Sequence, residues 1–387
     1  GGRITDDWDR RLFNTYGKAW LAKEILQSTF SFYELGNMRY AIPTGNTNDI
    51  DTFRRYIESL PQIDNPEVFG LHTNADLAYR TMQTKRNLET ILNVQPKESG
   101  GGGGLTREEI VLKQAEDLQS KLPTDYKRDE VNQQIKAIGG MGRPLNICLS
   151  QEVDRLQKVI SVVRTMLINL KLAIAGTIVM SAELSQMLDA LFMARVPARW
   201  EKVSQLVMPN IGLWWVNILQ RNEQLVSWLR NNRPFAFWLT GFFNPQGFLT
   251  ANRQEVCRRH AKENWALDDM VDSSEVLKYE KDELRKGPEE GVYIHGLFLD
   301  GCKWDKAKGR LVDSDPKVLH APLPVIHIGA VLSVNKRRDP NNEPYSCPLY
   351  KTPKRTGLNF VTSIDLRTEE PRDKWICRGV CLLSSKD

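Results

Sequence analysis

The sequence has little of what catalysis usually draws on. Its 387 residues contain five histidines, His72, His260, His295, His320 and His327. Its six cysteines, Cys148, Cys257, Cys302, Cys347, Cys377 and Cys381, form no CxxC pair and no disulfide-like cluster, which argues against a stapled secreted fold. There is no N-x-S/T sequon, and together these features favour a reducing, intracellular setting. The longest apolar stretch, Met166 to Met180, is too short to span a bilayer and contains Lys171. No G-x-x-x-x-G-K-[ST], HExxH or G-x-S-x-G occurs; Gly17-Lys18 is followed by Ala19 and lacks the upstream glycine. Phosphate-cradling loops, zincin sites and nucleophile elbows are therefore not expected.

Apolar residues make up 41% and charged residues 26%, the proportions of an ordinary globular chain, and the length suits two or three domains. Ten tryptophans point to broad packing or interface surfaces. The net charge of +5 is uneven. Residues 291–387 hold 16 Lys and Arg against 11 Asp and Glu, whereas the remainder is balanced. The basic excess reads as a solvated surface or as a face for an acidic partner.

Hydrophobic periodicity then divides the chain. Residues 1–95 read as mainly helical, with a stripe at Trp20, Leu21, Ile25 and Leu26, a helix capped by Asp49 or Asp51, and another over 77–94. Five glycines, Gly100 to Gly104, lose too much backbone entropy to hold a helix or strand, so residues 96–105 read as a linker. A helix starting after Thr106 stops before Pro123. A long one follows, with Val153, Leu156, Ile160, Val163, Leu167, Leu170 and Ile174 at three- and four-residue steps. Further helices precede Pro197 and Pro234, and the aromatic run 233–251 reads as core. Residues 251–290 are polar and charge-rich, and SSEVLKYEKDELRKGPEEG, 273–291, reads as an exposed insertion. Residues 291–387 change to short β-branched runs between turns and predict a small antiparallel β-barrel, making the fold class α+β.

Each candidate site has a plainer alternative. Cys377 and Cys381, four apart in an expected strand, would face one side and could join His295 or His327 around zinc; buried thiols are the commoner reading. Cys302 with His295 is a weak nucleophile pair. Lys336, Arg337 and Arg338 form a basic patch beside a turn, but no nucleic-acid motif accompanies it. The opening run, GGRITDDWDRR, packs Arg3, Asp6, Asp7, Asp9, Arg10 and Arg11 around Trp8. Interleaved arginines favour ion pairs at an interface over a carboxylate cluster for metal or proton chemistry. Arg3, Asp6, Asp7, Trp8, Asp9 and Arg10 are thus structural interface candidates, and no residue is nominated as catalytic, cofactor-binding or metal-binding. A start on so dense a motif, without Met, suggests a piece of a longer chain.

That opening run resembles the GGR(V/I)TDDWDRR element near the end of dynein heavy chains. Similar stretches follow in order: LPQIDNPEVFGLHTNADL from Leu60, VMSAELSQMLDALFMARVPARW from Val179, FWLTGFFNPQGFLTA from Phe237, GVYIHGLFLDGCKWD from Gly291, and the ending from Ser346. The resemblance covers nearly the whole chain. It implies that residues 1–95 are the helical end of the sixth AAA+ module, 96–105 a linker, 106–290 the helical part of the C-terminal domain and 291–387 its β-barrel part. It also implies a non-catalytic, regulatory and structural segment packed on the ring of an ATP-driven, minus-end-directed microtubule motor. ATP and Mg would be bound in other modules. Intermediate chains, light chains and microtubules would be partners of the parent chain, with no nucleic acid or membrane. The ending looks axonemal, most like outer-arm gamma-type chains, which implies the cytoplasmic cytoskeleton and the axoneme of a cilium or flagellum. The alternatives are a cytoplasmic dynein C-terminal domain, or a module that binds an acidic protein through its basic β-region.

Overall fold

The computed structural model describes residues 2–35, 38–43, 49–62, 65–94, 105–336 and 343–386. The glycine run expected to be a linker, and Arg337 and Arg338 of the basic patch, lie outside the described residues.

The chain begins with α1 (Asp7–Trp20), followed by the hairpin β1 (Tyr33–Leu35) and β2 (Met38–Tyr40), then α2 (Ile50–Ser59) and α3 (Asn74–Val94). The Asp49 carboxylate caps α2, as its place before the helix predicts. The expected stripe at Trp20, Leu21, Ile25 and Leu26 is not one helix face. The helix stops at Trp20, a short 3-10 turn holds 23–26, and Leu21 and Leu26 are exposed. Among the described residues of 1–94, only Thr15 and Tyr40 are buried. The described part of this segment has no fully buried core of its own.

The helical bundle comprises α4 (Arg107–Lys121), α5 (Arg128–Ala137), α6 (Pro144–Ile174), α7 (Ala182–Phe192), α8 (Ala198–Ser204) and α9 (Ile211–Asn231). Thr106 and Glu109 form a reciprocal capping box on α4, and Ser181 and Asn210 cap α7 and α9. Proline at the first position starts α6, whose missing N–H costs nothing there. Its 31 residues give a rod of about 46 Å at about 1.5 Å per residue. Val153, Leu156, Ile160, Val163, Leu167 and Leu170 are all buried on it, so the stepping seen in the sequence is the bundle's central core face.

After α9 come β3 (Ala236–Trp238), α10 (Pro245–Arg259) and β4 (Met270–Val276). Short strands then alternate: β5 (Val292–His295), β6 (Phe298–Asp300), β7 (Lys303–Asp305), β8 (Arg310–Val312), β9 (His320–Pro322), β10 (Ile326–Leu332), β11 (Tyr345–Tyr350) and β12 (Phe360–Leu366). The short helix α11 (Arg372–Cys377) and β13 (Cys381–Leu383) complete the described fold. One sheet has the order β3-β5-β10-β4, another β12-β11-β13-β6-β9, and β7 pairs with β8. Helix α10 contacts both α6 and β10, and one apolar cluster runs from the bundle into both sheets.

The α+β class is as expected, but the described strands form no closed antiparallel barrel. They make separate open sheets, and two pairings, β3 with β5 and β11 with β13, are parallel. Where β4 and β12 approach each other, the Ser274 hydroxyl takes the place of ladder bonds. It accepts from the Asp365 N–H at 3.0 Å and donates to the Asp365 carbonyl at 3.4 Å. The insertion expected over 273–291 differs at its start, because 273–276 belong to β4, which pairs with β10 over its full length. In the aromatic run, Phe237, Phe242 and Phe248 are core, as read, while Phe235 is about half exposed.

Candidate interface around the first helix

The acids of the opening run act mostly within it. The Asp6 carboxylate accepts from the Trp8 and Asp9 N–H groups at 2.9 and 3.1 Å and caps α1. Asp7 and Asp9 fall in the first turn, where negative charge complements the helix dipole. Arg10 pairs with Asp7 at 3.2 Å and donates to the Ile4 carbonyl. Both partners of that pair are exposed, so it adds little stability. Arg3 and Asp9 are exposed, and no side-chain contact of either is seen among the described residues.

The bridge to the rest of the molecule is Trp8 and a residue outside the six candidates, Arg11. The Arg11 guanidinium donates to the Ser346 carbonyl at 2.8 Å and to the Tyr345 hydroxyl at 3.3 Å. It also lies 4.3 Å over the Trp8 ring and 5.2 Å from the Tyr345 ring centre. The Tyr345 hydroxyl in turn donates to the Val380 carbonyl at 2.7 Å. Burial pushes this phenol well above its usual range, so it remains a donor. Ser346 pairs with Asp365 of β12, while β13 pairs only with Leu349 and Tyr350 further along the strand. Trp8 meets Phe360 of β12 at 5.8 Å. The missed signal is geometric. Residues 8 and 11 are one helical step apart, so a Trp and an Arg at that spacing share a face and can clamp together.

Further contacts extend the same docking. Further along α1, the Thr15 hydroxyl meets Asp373 of α11 at 3.4 Å and Lys18 lies 3.9 Å from the same carboxylate. Trp20 packs on Phe69 and Phe32, and Tyr16 donates to the Phe69 carbonyl. The turn ending at Gly70 approaches α11 so closely that a Cβ there would sit 2.8 Å from the Cys377 Cβ. Gly70 also has a φ of +77°, so a side chain is disfavoured twice. At the start of α3, the Asn74 amide donates to the Asp315 and Val318 carbonyls at 3.0 Å and accepts from the Lys317 N–H.

The other sequence candidates are not brought together. Cys377 ends α11 and Cys381 lies in β13, with Gly379 at φ +63° between them, so they do not share a strand face. Among the described residues, no three His, Cys, Asp or Glu side chains form a metal-binding group. Cys302 is buried, and burial raises its thiol well above the ordinary value, which opposes a nucleophilic thiolate. His295 is held neutral instead, pulled down to about 4 by burial and by Lys281. Lys336 is engaged by Asp365 at 2.7 Å and does not offer a free patch. No helix among the described residues is long and apolar enough to cross a membrane.

Comparison with known proteins finds two family matches along the chain. Residues 1–75 match the family described as the AAA lid domain of dynein heavy chains, and residues 81–384 match the C-terminal domain of the same heavy chains. The change falls at the start of α3, upstream of the glycine run. Mouse (Mus musculus) dynein axonemal heavy chain 5 is 49% identical over 383 residues, a match that takes in 99% of the present sequence and 8% of that relative's length. Human (Homo sapiens) dynein axonemal heavy chain 8 shows the same identity and coverage. The flagellar outer-arm dynein gamma chain of Chlamydomonas reinhardtii is 45% identical over 395 residues, taking in 100% of the present sequence and 9% of that relative's length. The chain thus spans under a tenth of the length of these relatives, and it belongs to the dynein heavy-chain family, carrying that family's AAA lid and its C-terminal domain.

Proposed function

We propose that this chain is an accessory, non-catalytic portion of an axonemal dynein heavy chain, a motor whose ATP and Mg chemistry and microtubule contact lie in other parts. In this reading, the lid and C-terminal domain form one docked unit that packs on the AAA+ ring and tunes motor output in a cilium or flagellum. The observation that carries it is the Arg11 clamp. A lid segment with almost no buried residues is held to the C-terminal domain through Trp8, Arg11, Gly70 and Asn74. A motion of the lid would therefore be felt in the C-terminal domain. The relatives named axonemal or flagellar support the axonemal assignment over a cytoplasmic one, and the outer-arm gamma chain among them supports that type. Intermediate and light chains would meet other parts of the heavy chain.

The reading as a binding module for an acidic partner is weaker. Many basic residues after 291 already have carboxylate partners: Lys303 with Asp315, Lys336 with Asp365, Arg355 with Asp300, and Lys374 and Arg378 with Asp313. Calorimetry with Mg-ATP and Mg-ADP on the purified chain tests the accessory reading. No saturable heat is expected, and stoichiometric nucleotide binding would overturn it.

A further inference from the structure

Where the bundle, both sheets and the segment after β13 converge, a cavity of about 100 Å³ is lined by Arg221, Lys351, Thr240, Asn359, Ser204 and Ser384 among others. Its walls include Phe242 and Phe243, and no carboxylate lines it among the described residues. Arg221 is only 2% exposed. Its guanidinium donates to the Asn217 amide oxygen at 2.7 Å, the Gly241 carbonyl at 3.2 Å and the Thr240 carbonyl at 2.6 Å, and it faces the Phe243 ring at 4.7 Å. A guanidinium has five N–H groups, so two remain.

The nearest acid is already committed. Glu152, 1% exposed, accepts from the Phe243 and Asn244 N–H groups at 2.5 and 3.0 Å and from Arg155 at 2.8 Å. Glu152 also attracts Arg221 and Lys351 across space, but its hydrogen bond goes to Arg155 and it does not line the cavity, so one carboxylate serves three cations. Burial draws the Lys351 ammonium below its ordinary value, helped by the charges of Arg155 and Arg221 and opposed by that of Glu152. Burial draws Arg221 down to about 10, so it stays charged at neutral pH. Burying two cations that share one counter-charge with a third is costly, and an anion of matching size relieves that cost.

We propose that this cavity binds a phosphate-sized oxyanion, held between Arg221 and Lys351, since the Thr240, Ser384, Ser204 and Asn359 side chains already donate elsewhere in the protein. The space suits several waters or one tetrahedral oxyanion in their place. A free inorganic phosphate ion fits an enclosure walled by the two phenylalanines better than a phosphorylated side chain on a peptide does. Bound there, the ion would brace the bundle, the second sheet and the segment after β13 at one point.

Calorimetric titration of inorganic phosphate into the 387-residue chain at constant ionic strength tests this. Saturable one-to-one binding is expected, weakened about ten- to hundredfold in Lys351→Met by loss of a charged donor, and unchanged in Lys317→Met, which does not line the cavity. Phosphate also stabilises proteins generally by exclusion from their surfaces, an effect that does not saturate and would be equal in both variants. Non-saturating heats, or equal affinity in Lys351→Met, would overturn the site. A phosphoserine peptide should fail to compete, and competition would overturn the assignment to the free ion. A readout that needs no variant is the rate of Lys351 acylation in the intact chain. Phosphate should slow it relative to Lys354, and an unchanged ratio would contradict the proposal.

Discussion

At the scale of single residues, one arginine among three holds the opening run to the rest of the molecule. Arg11→Met should cost about 1.5–3 kcal/mol, because it removes two hydrogen bonds from a charged donor and leaves the Ser346 carbonyl without it. Asp9→Asn should stay within about 0.5 kcal/mol, since that side chain is exposed. Hydrogen exchange of the α1 amides in each variant measures the difference. His295 gives a pH prediction of definite sign. Its folded value of about 4 lies below the ordinary 6.5, so the unfolded chain takes up this proton first. Stability contributed by neutral His295 is complete above pH 6.5 and is lost as pH falls towards 4. His295→Gln should flatten that acid slope in denaturant titrations across the window, and an unchanged slope would mean that His295 is not buried neutral. His260 acts oppositely. Hydrogen bonding to Glu263, then to Glu290, raises it, so its contribution is full below pH 6.5 and fades as pH rises through the raised value.

At the scale of elements, legibility follows how completely an element's cause lies in its own sequence. Helix α6 is readable because its buried positions recur at helical steps and proline fixes its start. Leu167, fully buried in its C-terminal half, should cost about 2–5 kcal/mol on truncation to Ala, measured by chemical denaturation; a near-zero change would mean that this face is not core. Strand β4 is not readable. Its sequence, MVDSSEV, lacks an apolar alternation because its middle meets β12 through the Ser274 hydroxyl rather than through apolar packing. The run WICRGVCLL reads as one strand, yet it is the end of α11, a turn at Gly379 and β13. Pro371 and Asp373 just ahead of it are helix-start signals that its β-branched content outweighs. Gly70, ordinary in the sequence, is fixed by its neighbour on α11. Gly70→Ala should cost roughly 1–3 kcal/mol through a strained φ, plus whatever shift of Cys377 is needed, and should loosen the 66–71 turn in hydrogen exchange.

At the scale of the whole molecule, the sequence conveys the order of helical and β parts and the likeness to dynein heavy chains, but not how the parts join. Short strands at regular spacing are compatible with a barrel or with separate sheets. What decides between them is the pairing of distant strands, β3 with β5 and β11 with β13, which local pattern does not encode. The docking of residues 1–75 is equally hidden, because its contacts are single side chains placed by folding. That segment, expressed alone, should show no cooperative unfolding transition, since it buries so little of itself. The proposed coupling of lid to C-terminal domain through Arg11 is tested most directly in the parent motor. The quantity to measure is the velocity of microtubule gliding driven by the intact heavy chain with Arg11→Met, compared with Asp9→Asn. Altered velocity at unchanged nucleotide affinity is expected in the first variant, and wild-type velocity in the second. Wild-type velocity in both would contradict the coupling.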